Sequence, residues 1–250
     1  MAIGIILAGG KGTRLKSSTA NKVILPFLNK PMILYGVELL EPIVSKLIVV
    51  VGAFSESVKN VLHNHNITYA NQEEQLGTAH AVKIALNVIQ SSDEPIDHVI
   101  VGYGDHMMFY SIKTANDLIQ YHKDQKAVIT LVTAILPDPH KYGRIIRNSF
   151  NDVVAIVEEK DANNDELVIK EINAGLYCFD YQFLKENINK IEKSSITNEY
   201  YLTDLIKIAV TQHKKVAGLV VLFEKIGIGI NTTEELQDSQ KIYALSKSSP

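Results

Sequence analysis

Apolar runs of strand length alternate with stretches of helical periodicity through the first half of this sequence, and that alternation restricts the fold more than any other feature. The runs are Ala2–Ala8, Lys46–Gly52, Ile67–Ala70, His98–Tyr103 and Ala127–Ala134. Between them, Pro31–Val44, Ser55–His63, Thr78–Ile89 and Ala115–His122 place apolar residues at the spacing of one helix face. Repeated strand–helix–strand units predict an α/β chain built on a doubly wound sheet covered on both faces. Ligands of such sheets bind beyond the C-terminal ends of the strands, so a functional site is expected where the apolar runs stop.

After Pro137-Asp138-Pro139 the rhythm shortens. Strands are expected at Arg144–Asn148, Val153–Glu158 and Ile172–Phe179, helices at Tyr181–Ile191 and Tyr201–His213, and a last strand at Val216–Phe223. A C-terminal helix should open at Thr232 or Thr233, whose hydroxyl can cap free backbone N–H groups. This half reads as mixed, with some antiparallel pairing. No internal repeat and no linker rich in Gly, Ser or Pro divides the chain, which predicts one domain over residues 1–250.

The first strand ends in Leu7-Ala8-Gly9-Gly10-Lys11-Gly12-Thr13-Arg14-Leu15. Its glycines let the backbone approach a charged ligand where a β-carbon would obstruct it, and its N–H groups can face phosphate oxygens. Lys11, Arg14 and Lys22 add three cations able to neutralise a polyphosphate. The segment is neither a Walker A loop nor a dinucleotide fingerprint, since it lacks both the Gly-Lys-Ser/Thr ending and the Gly-x-Gly-x-x-Gly spacing. Glycines alone would equally suit a plain strand-to-helix turn; the cations favour phosphate binding.

Phosphate affinity must be local, because the formal net charge of -3 excludes the basic excess of a general nucleic-acid binder. A hydrophobic fraction of 46% over 250 residues is enough for a large core. The single cysteine, Cys178, rules out an intrachain disulfide and a Cys-based zinc cluster, and fits a reducing compartment. The apolar start breaks at Gly9-Gly10, too early for a membrane span, and lacks the basic start of a signal peptide. A cytoplasmic protein is expected, with small-molecule partners and neither nucleic acid nor membrane; a homo-oligomer remains possible.

The run Leu7–Leu15 followed by Lys22 resembles the signature of sugar-1-phosphate nucleotidyltransferases, and seven later segments narrow the likeness. They begin with Gln72–Ala81, Tyr103-Gly104-Asp105 and Tyr142-Gly143-Arg144-Ile145. Ile156–Ala162, Glu171–Gly175, Glu199–Asp204 and Gly229-Ile230-Asn231 follow in the same order. Together they look like the uridylyltransferase domain of bacterial bifunctional N-acetylglucosamine-1-phosphate uridyltransferases. The resemblance implies a Rossmann-like, GT-A-like mixed sheet with a smaller mixed β subregion that grips the sugar. It divides the chain into a nucleotide-binding half to about residue 135, a sugar-binding half over about 136–230, and a C-terminal helix and tail. The family's left-handed β-helix, with its acetyl transfer, is not expected, because no hexapeptide repeats occur.

On this resemblance, Leu7 to Thr13 cradle the triphosphate, with Arg14, Lys22 and Asp105 as catalytic residues. Gln72, Gln75, Gly77 and Thr78 read the base, and the two glutamine amides supply the donor and acceptor that uracil needs. Gly104, Gly143, Glu158 and Asn173 hold the sugar, with Lys160 and Tyr201 as weaker candidates on that side. Asp105 and Asn231 hold Mg²⁺, which takes few protein ligands and keeps substrate oxygens and water for the rest. Taken alone, Asp105 also suits a turn or a helix cap, and Asn231 reads better as a cap before the last helix than as a ligand. The implied reaction joins an NTP, UTP first, to a sugar 1-phosphate, N-acetylglucosamine 1-phosphate first, and releases pyrophosphate. Two positions depart from the family: Asn21 stands where proline commonly precedes the lysine, and His106 stands where a small apolar residue and proline commonly follow the aspartate.

Overall fold

The computed structural model describes residues 1–10, 21–89, 95–139, 142–226, 230 and 232–248, with backbone alone at 160, 233 and 245–248. The five predicted apolar runs form strands β1 (Ala2–Ala8), β4 (Lys46–Val51), β5 (Ile67–Asn71), β6 (His98–Tyr103) and β7 (Ile129–Ile135). The helical stretches between them become α1 (Met32–Leu40), α2 (Ser55–Val61), α3 (Thr78–Asn87) and α4 (Ile112–Gln125). A short hairpin, β2 (Pro26–Phe27) and β3 (Lys30–Pro31), precedes α1 and was not foreseen, because four residues carry no periodicity.

In the second half come β8 (Arg144–Arg147), β9 (Val153–Val157), α5 (Asn164–Leu167), β10 (Glu171–Asp180), α6 (Tyr181–Asn187), α7 (Asp204–Thr211), β11 (Val216–Val221) and α8 (Thr233–Ser248). Helix α5 was also unforeseen; a capping box between Asn163 and Glu166 holds this single turn. The other reciprocal pair, Thr232 with Glu235, opens α8: the Glu235 N–H donates to the Thr232 hydroxyl at 3.1 Å and the Thr232 N–H to the Glu235 carboxylate at 3.0 Å.

One sheet of nine described strands crosses both halves, in the order β11-β7-β10-β6-β1-β4-β5, with β8 and β9 paired off β10. Strands β6, β1, β4 and β5 run parallel. Strand β10 is antiparallel to β6 and β7, and so carries the second half into the middle of the first. Ile3, Ile5, Val50, Val99 and Val101 pack with the α3 and α7 layer on one face, and Ile6, Val49, Val51 and Ile100 with the α1 and α4 layer on the other. The parallel strands therefore lose water on both faces, which is why they read as unbroken apolar runs rather than alternating ones. Among the described residues no helix is long and apolar enough to cross a membrane.

A bulge interrupts the pairing of β10 with β7. Asn173 faces Thr133 and Tyr177 faces Leu131, so four steps of β10 span two of β7. Gly175 lies within it at φ 76°, in the left-handed region, and a side chain there would also strike the Tyr103 ring at 2.8 Å.

Candidate active site

The C-terminal ends of β1, β5 and β6 open into one cleft of about 260 Å³. Leu7, Ala8, Gly9 and Gly10 form one wall, Gln72, Gln75, Gly77 and Thr78 another, and Tyr103 and Asp105 a third, with Lys22 at the floor. Residues up to 192 positions apart in sequence, Leu7 and Glu199, thus meet where the topology of an open α/β sheet places a ligand. A larger cavity of about 440 Å³ lies between Lys190–Ser194 and α7. It contains Lys190, Lys193 and Lys207 but none of the glycine loop, Lys22 or Asp105, so size and chemistry point to different places. We assign the site by chemistry.

Asp105 sits in the turn that follows β6, closed by the His106 N–H donating to the Tyr103 carbonyl at 3.0 Å. That turn is anchored from below. Met107 is buried with its sulfur filling notches over Gly36 and Gly102, where an added β-carbon would lie 2.8 and 2.6 Å from it. The Tyr110 hydroxyl donates to the Ala174 carbonyl at 2.6 Å, tying the same loop to β10. The departure from the family at 106–107 thus leaves the aspartate on a well-packed support. The His106 ring faces Tyr142 with centroids 6.5 Å apart, its Nε2 buried without a hydrogen-bond partner, and burial lowers its pKa.

The Lys22 ammonium forms an ion pair with the Asp105 carboxylate, with side-chain exposures of 18% and 19%. The ammonium also donates to the Ile230 carbonyl at 3.2 Å. Ile230 is buried in an apolar cluster with Phe27, Met32 and Met108 that Tyr243 of α8 closes, edge-on to Phe27 and Phe109. Ile230 is thereby held against Lys22. Among the described residues no cluster of three His, Cys, Asp or Glu side chains could hold a metal ion. A single carboxylate at a strand end, beside a cleft sized for phosphates, fits a hard cation that takes most of its ligands from substrate and water.

The Gln72–Thr78 segment is fixed by its own side chains. Gln72 is only 4% exposed; its amide nitrogen donates to the Gly77 carbonyl at 3.1 Å and lies 3.2 Å from His80 Nδ1. Its oxygen stands where a β-carbon on Gly9 would come within 2.6 Å. Gln72 therefore spaces the two glycine walls, while Gln75, with longer 3.3 Å bonds to the carbonyls of Gln72 and Glu73, is the more exposed amide. Gly77, at φ 101°, caps α3 and receives the backbone of Tyr200, whose carbonyl would be 2.5 Å from a β-carbon there. Two further bonds dock that strip: the Ala79 N–H donates to the Tyr200 carbonyl at 2.9 Å and the Leu202 N–H to the Thr78 hydroxyl at 2.9 Å. The docking brings Glu199 to the rim of the cleft.

On the other side, Gly104 follows β6 with its N–H donating to the Leu7 carbonyl at 3.0 Å. The Asn173 N–H donates to the Gly143 carbonyl at 3.0 Å, and the Glu158 carboxylate lies 3.4 Å from where a Gly143 β-carbon would be. The Asn173 amide donates to the Tyr177 hydroxyl at 2.7 Å and accepts from the Gly175 N–H at 3.1 Å. Tyr177 in turn meets Tyr103, whose phenol burial pushes up to about 12 although hydrogen bonds from Tyr177 and Thr78 oppose the rise. The loop bearing Gly143 is pinned by the buried Arg144, whose guanidinium donates to the Pro139 carbonyl at 2.8 Å and to the Tyr142 carbonyl.

Gly143, Glu158 and Asn173 therefore come together, near Tyr103, which also lines the cleft. Tyr201 does not join them; its hydroxyl bonds Thr197 at 2.5 Å, outside the cleft lining. Lys11, Gly12, Thr13, Arg14 and Asn231, and the side chain of Lys160, lie outside the described residues. Tyr103, Tyr177 and Glu199 were not singled out from sequence, although Tyr103 and Glu199 fall inside quoted segments; a tyrosine in an apolar run looks like core until its hydroxyl is seen to have a polar partner.

The family profile "Nucleotidyl transferase" matches residues 3–224. The chain is 42% identical over 234 residues to "Bifunctional protein GlmU" of Caldicellulosiruptor saccharolyticus, covering 93% of this chain and 50% of that protein. It is 38% identical over 237 residues to the protein of the same name from Brevibacillus brevis, covering 94% and 50%. The chain thus spans about half the length of these relatives. Among solved structures, one assigned as a glucose-1-phosphate thymidylyltransferase of Bacillus anthracis, in complex with sucrose, superposes with a TM-score of 0.76. That likeness covers 100% of this chain and 97% of that one at 22% identity, and it speaks for the fold alone.

Proposed function

The chain belongs to the nucleotidyl transferase family, and from that premise we propose that it transfers a nucleotidyl group from UTP to N-acetylglucosamine 1-phosphate. One observation carries the reading: Lys22 and Asp105 pair in the cleft that the glycine wall and the Gln75–Thr78 wall share, with the Lys22 ammonium also bonded to the Ile230 carbonyl.

In the reaction, a phosphate oxygen of the sugar 1-phosphate attacks the α-phosphorus. The α–β phosphoanhydride bond breaks, and its electron pair leaves on pyrophosphate. The nucleophile is already anionic, so no side chain needs to remove a proton. Catalysis then comes from alignment and from charge placed where it develops. Lys22, released from Asp105 as polyphosphate arrives, would carry its charge to the phosphate oxygens. Backbone N–H groups at Gly9 and Gly10 would donate to the same oxygens, and the glycine-loop cations Lys11 and Arg14 would share this role. Mg²⁺, which Asp105 and Asn231 would hold, supplies Lewis-acid neutralisation of the phosphates when bound.

Gln75 is the candidate reader of the base. Gly143, Glu158 and Asn173 offer an N–H, a carboxylate and an amide to a polyol, the convergent polar groups that a neutral sugar needs. Pyrophosphate release over a grid of four NTPs and several phosphorylated acceptors, with and without Mg²⁺, tests the proposal. Turnover should peak with UTP and N-acetylglucosamine 1-phosphate and vanish on chelation. Release with CTP and a phosphorylated alcohol would replace the substrates, and ligand binding without any release would replace catalysis by sensing.

A further inference from the structure

Immediately before Lys22, Asn21 is 1% exposed and hydrogen-bonded through both its side chain and its backbone. Its side-chain N–H groups donate to three carbonyls: Ala8 at 2.8 Å, Ala53 at 3.0 Å and Gly10 at 3.2 Å. Two hydrogens serve three acceptors, so at least one bond is shared. Its side-chain oxygen accepts from the Val23 N–H at 3.1 Å, capping the short 3-10 turn Lys22–Ile24. Its backbone N–H donates to the Ser57 hydroxyl at 3.2 Å, and its carbonyl accepts from the Ile24 N–H at 3.2 Å.

These contacts reach two other stretches of chain, the end of β1 with the glycine wall and the β4–α2 connection. Ala8 is the last residue of β1, Gly10 lies in the glycine wall, Ala53 follows β4, and Ser57 belongs to α2. One buried amide therefore fastens the start of the glycine loop to its end and both to the neighbouring strand. The residue that leaves this knot is Lys22, whose ammonium reaches Asp105 and Ile230. A proline would fit the backbone, since φ is -69°, but would supply none of these donors.

We infer that Asn21 is the positioning residue of the nucleotidyl-transfer site: it fixes where Lys22 stands relative to the phosphate-facing ends of the glycine loop. The inference rests on the nucleotidyl-transfer reading and adds a residue to it. Buried carbonyls left without donors must find new partners, and the loop and the lysine shift to provide them. Displacement of about 1 Å in a reacting arrangement costs about 10²-fold in rate.

The test compares the full chain with its N21A, N21P, K22A and N21A/K22A variants in steady-state pyrophosphate release, alongside hydrogen exchange of the Val23–Leu25 amides. With kcat normalised to the folded fraction read from far-UV circular dichroism and urea unfolding, N21A and N21P should each lower it by about 10²-fold while the KM for the nucleotide changes by less than about threefold. In the K22A background, N21A should change kcat by no more than about twofold, because a displaced lysine and an absent one are equivalent. Exchange at Val23–Leu25 should quicken in N21A while the β1 and β6 amides stay protected. A wild-type kcat in N21P, additive losses in the double variant, or unchanged exchange at Val23–Leu25 would each overturn the inference. Should the unmodified chain release no pyrophosphate from any substrate pair, the functional reading fails, and the exchange measurement still decides whether Asn21 holds the turn. If N21A does not fold, N21P carries the kinetic comparison, since its φ is already that of proline.

Discussion

The two walls of the cleft are made of different material. The side proposed for the nucleotide is mostly backbone: Gly9, Gly10, Gly77 and the start of α3, held at their spacing by the buried amides of Asn21 and Gln72. The side proposed for the sugar is mostly side chain: Asn173 and Tyr177, bonded to each other across the bulge of β10, with Tyr103 against Tyr177 and Glu158 beside Gly143. A backbone wall can be disturbed only by moving the chain, whereas a side-chain wall can be edited one group at a time. Lys22 and Asp105 stand where the walls meet and belong to both.

The largest effect should come from that meeting point. K22A and D105A should each lower kcat by about 10³-fold, or about 4 kcal/mol of transition-state stabilisation, with a much smaller change in nucleotide affinity for K22A. Rapid-quench turnover beside equilibrium nucleotide binding separates the two quantities; near-normal kcat in both variants would remove the floor from the comparison. Next comes the backbone wall. In G77A the β-carbon meets the Tyr200 carbonyl at 2.5 Å with φ at 101°, so the 199–202 strip must lift. We expect about 2 kcal/mol of lost stability in urea unfolding, together with weaker nucleotide binding.

Editing the side-chain wall should cost less and act on one substrate. E158Q and N173A should raise the KM for the sugar phosphate by about tenfold each and leave the nucleotide KM in place. An equal rise in both would show that the walls are not separable. The smallest expected effect is none at all. Because burial holds the Tyr103 phenol near 12, above its unfolded value of 10.0, both states carry the proton below pH 10 and its contribution to stability is constant there. Above pH 10 the unfolded chain ionises first, and stability declines as the pH approaches 12. The KM for the sugar phosphate should accordingly stay flat from pH 8 to about 10, and a break near 9 would place an ionising phenol in the cleft.

Legibility followed the same division. Strands β1 and β6 were read to the residue, because strands losing water on both faces must be continuously apolar. The hairpin at Pro26–Pro31 and the turn at Asn164–Leu167 escaped, since each is held by a few local bonds that leave no period. Within the site, Leu7–Gly10, Lys22, Gln75 and Asp105 could be picked out, as glycine, a cation and a carboxylate at the ends of strands are chemically conspicuous. Gln72 was picked for its amide, yet that amide turns inward to Gly77, a direction no spacing encodes. Asn21 was visible only as a place where the family's proline is absent.

Period and composition thus determined which segments became strands and helices, because burial repeats along the chain and leaves its mark at fixed intervals. Where Asn21 sends its donors, how the bulge aims Asn173 and why Lys22 reaches the Ile230 carbonyl were decided only by the tertiary structure. Those contacts join residues as many as 208 positions apart, and the direction of a hydrogen bond across such a distance depends on packing that no local stretch of sequence contains.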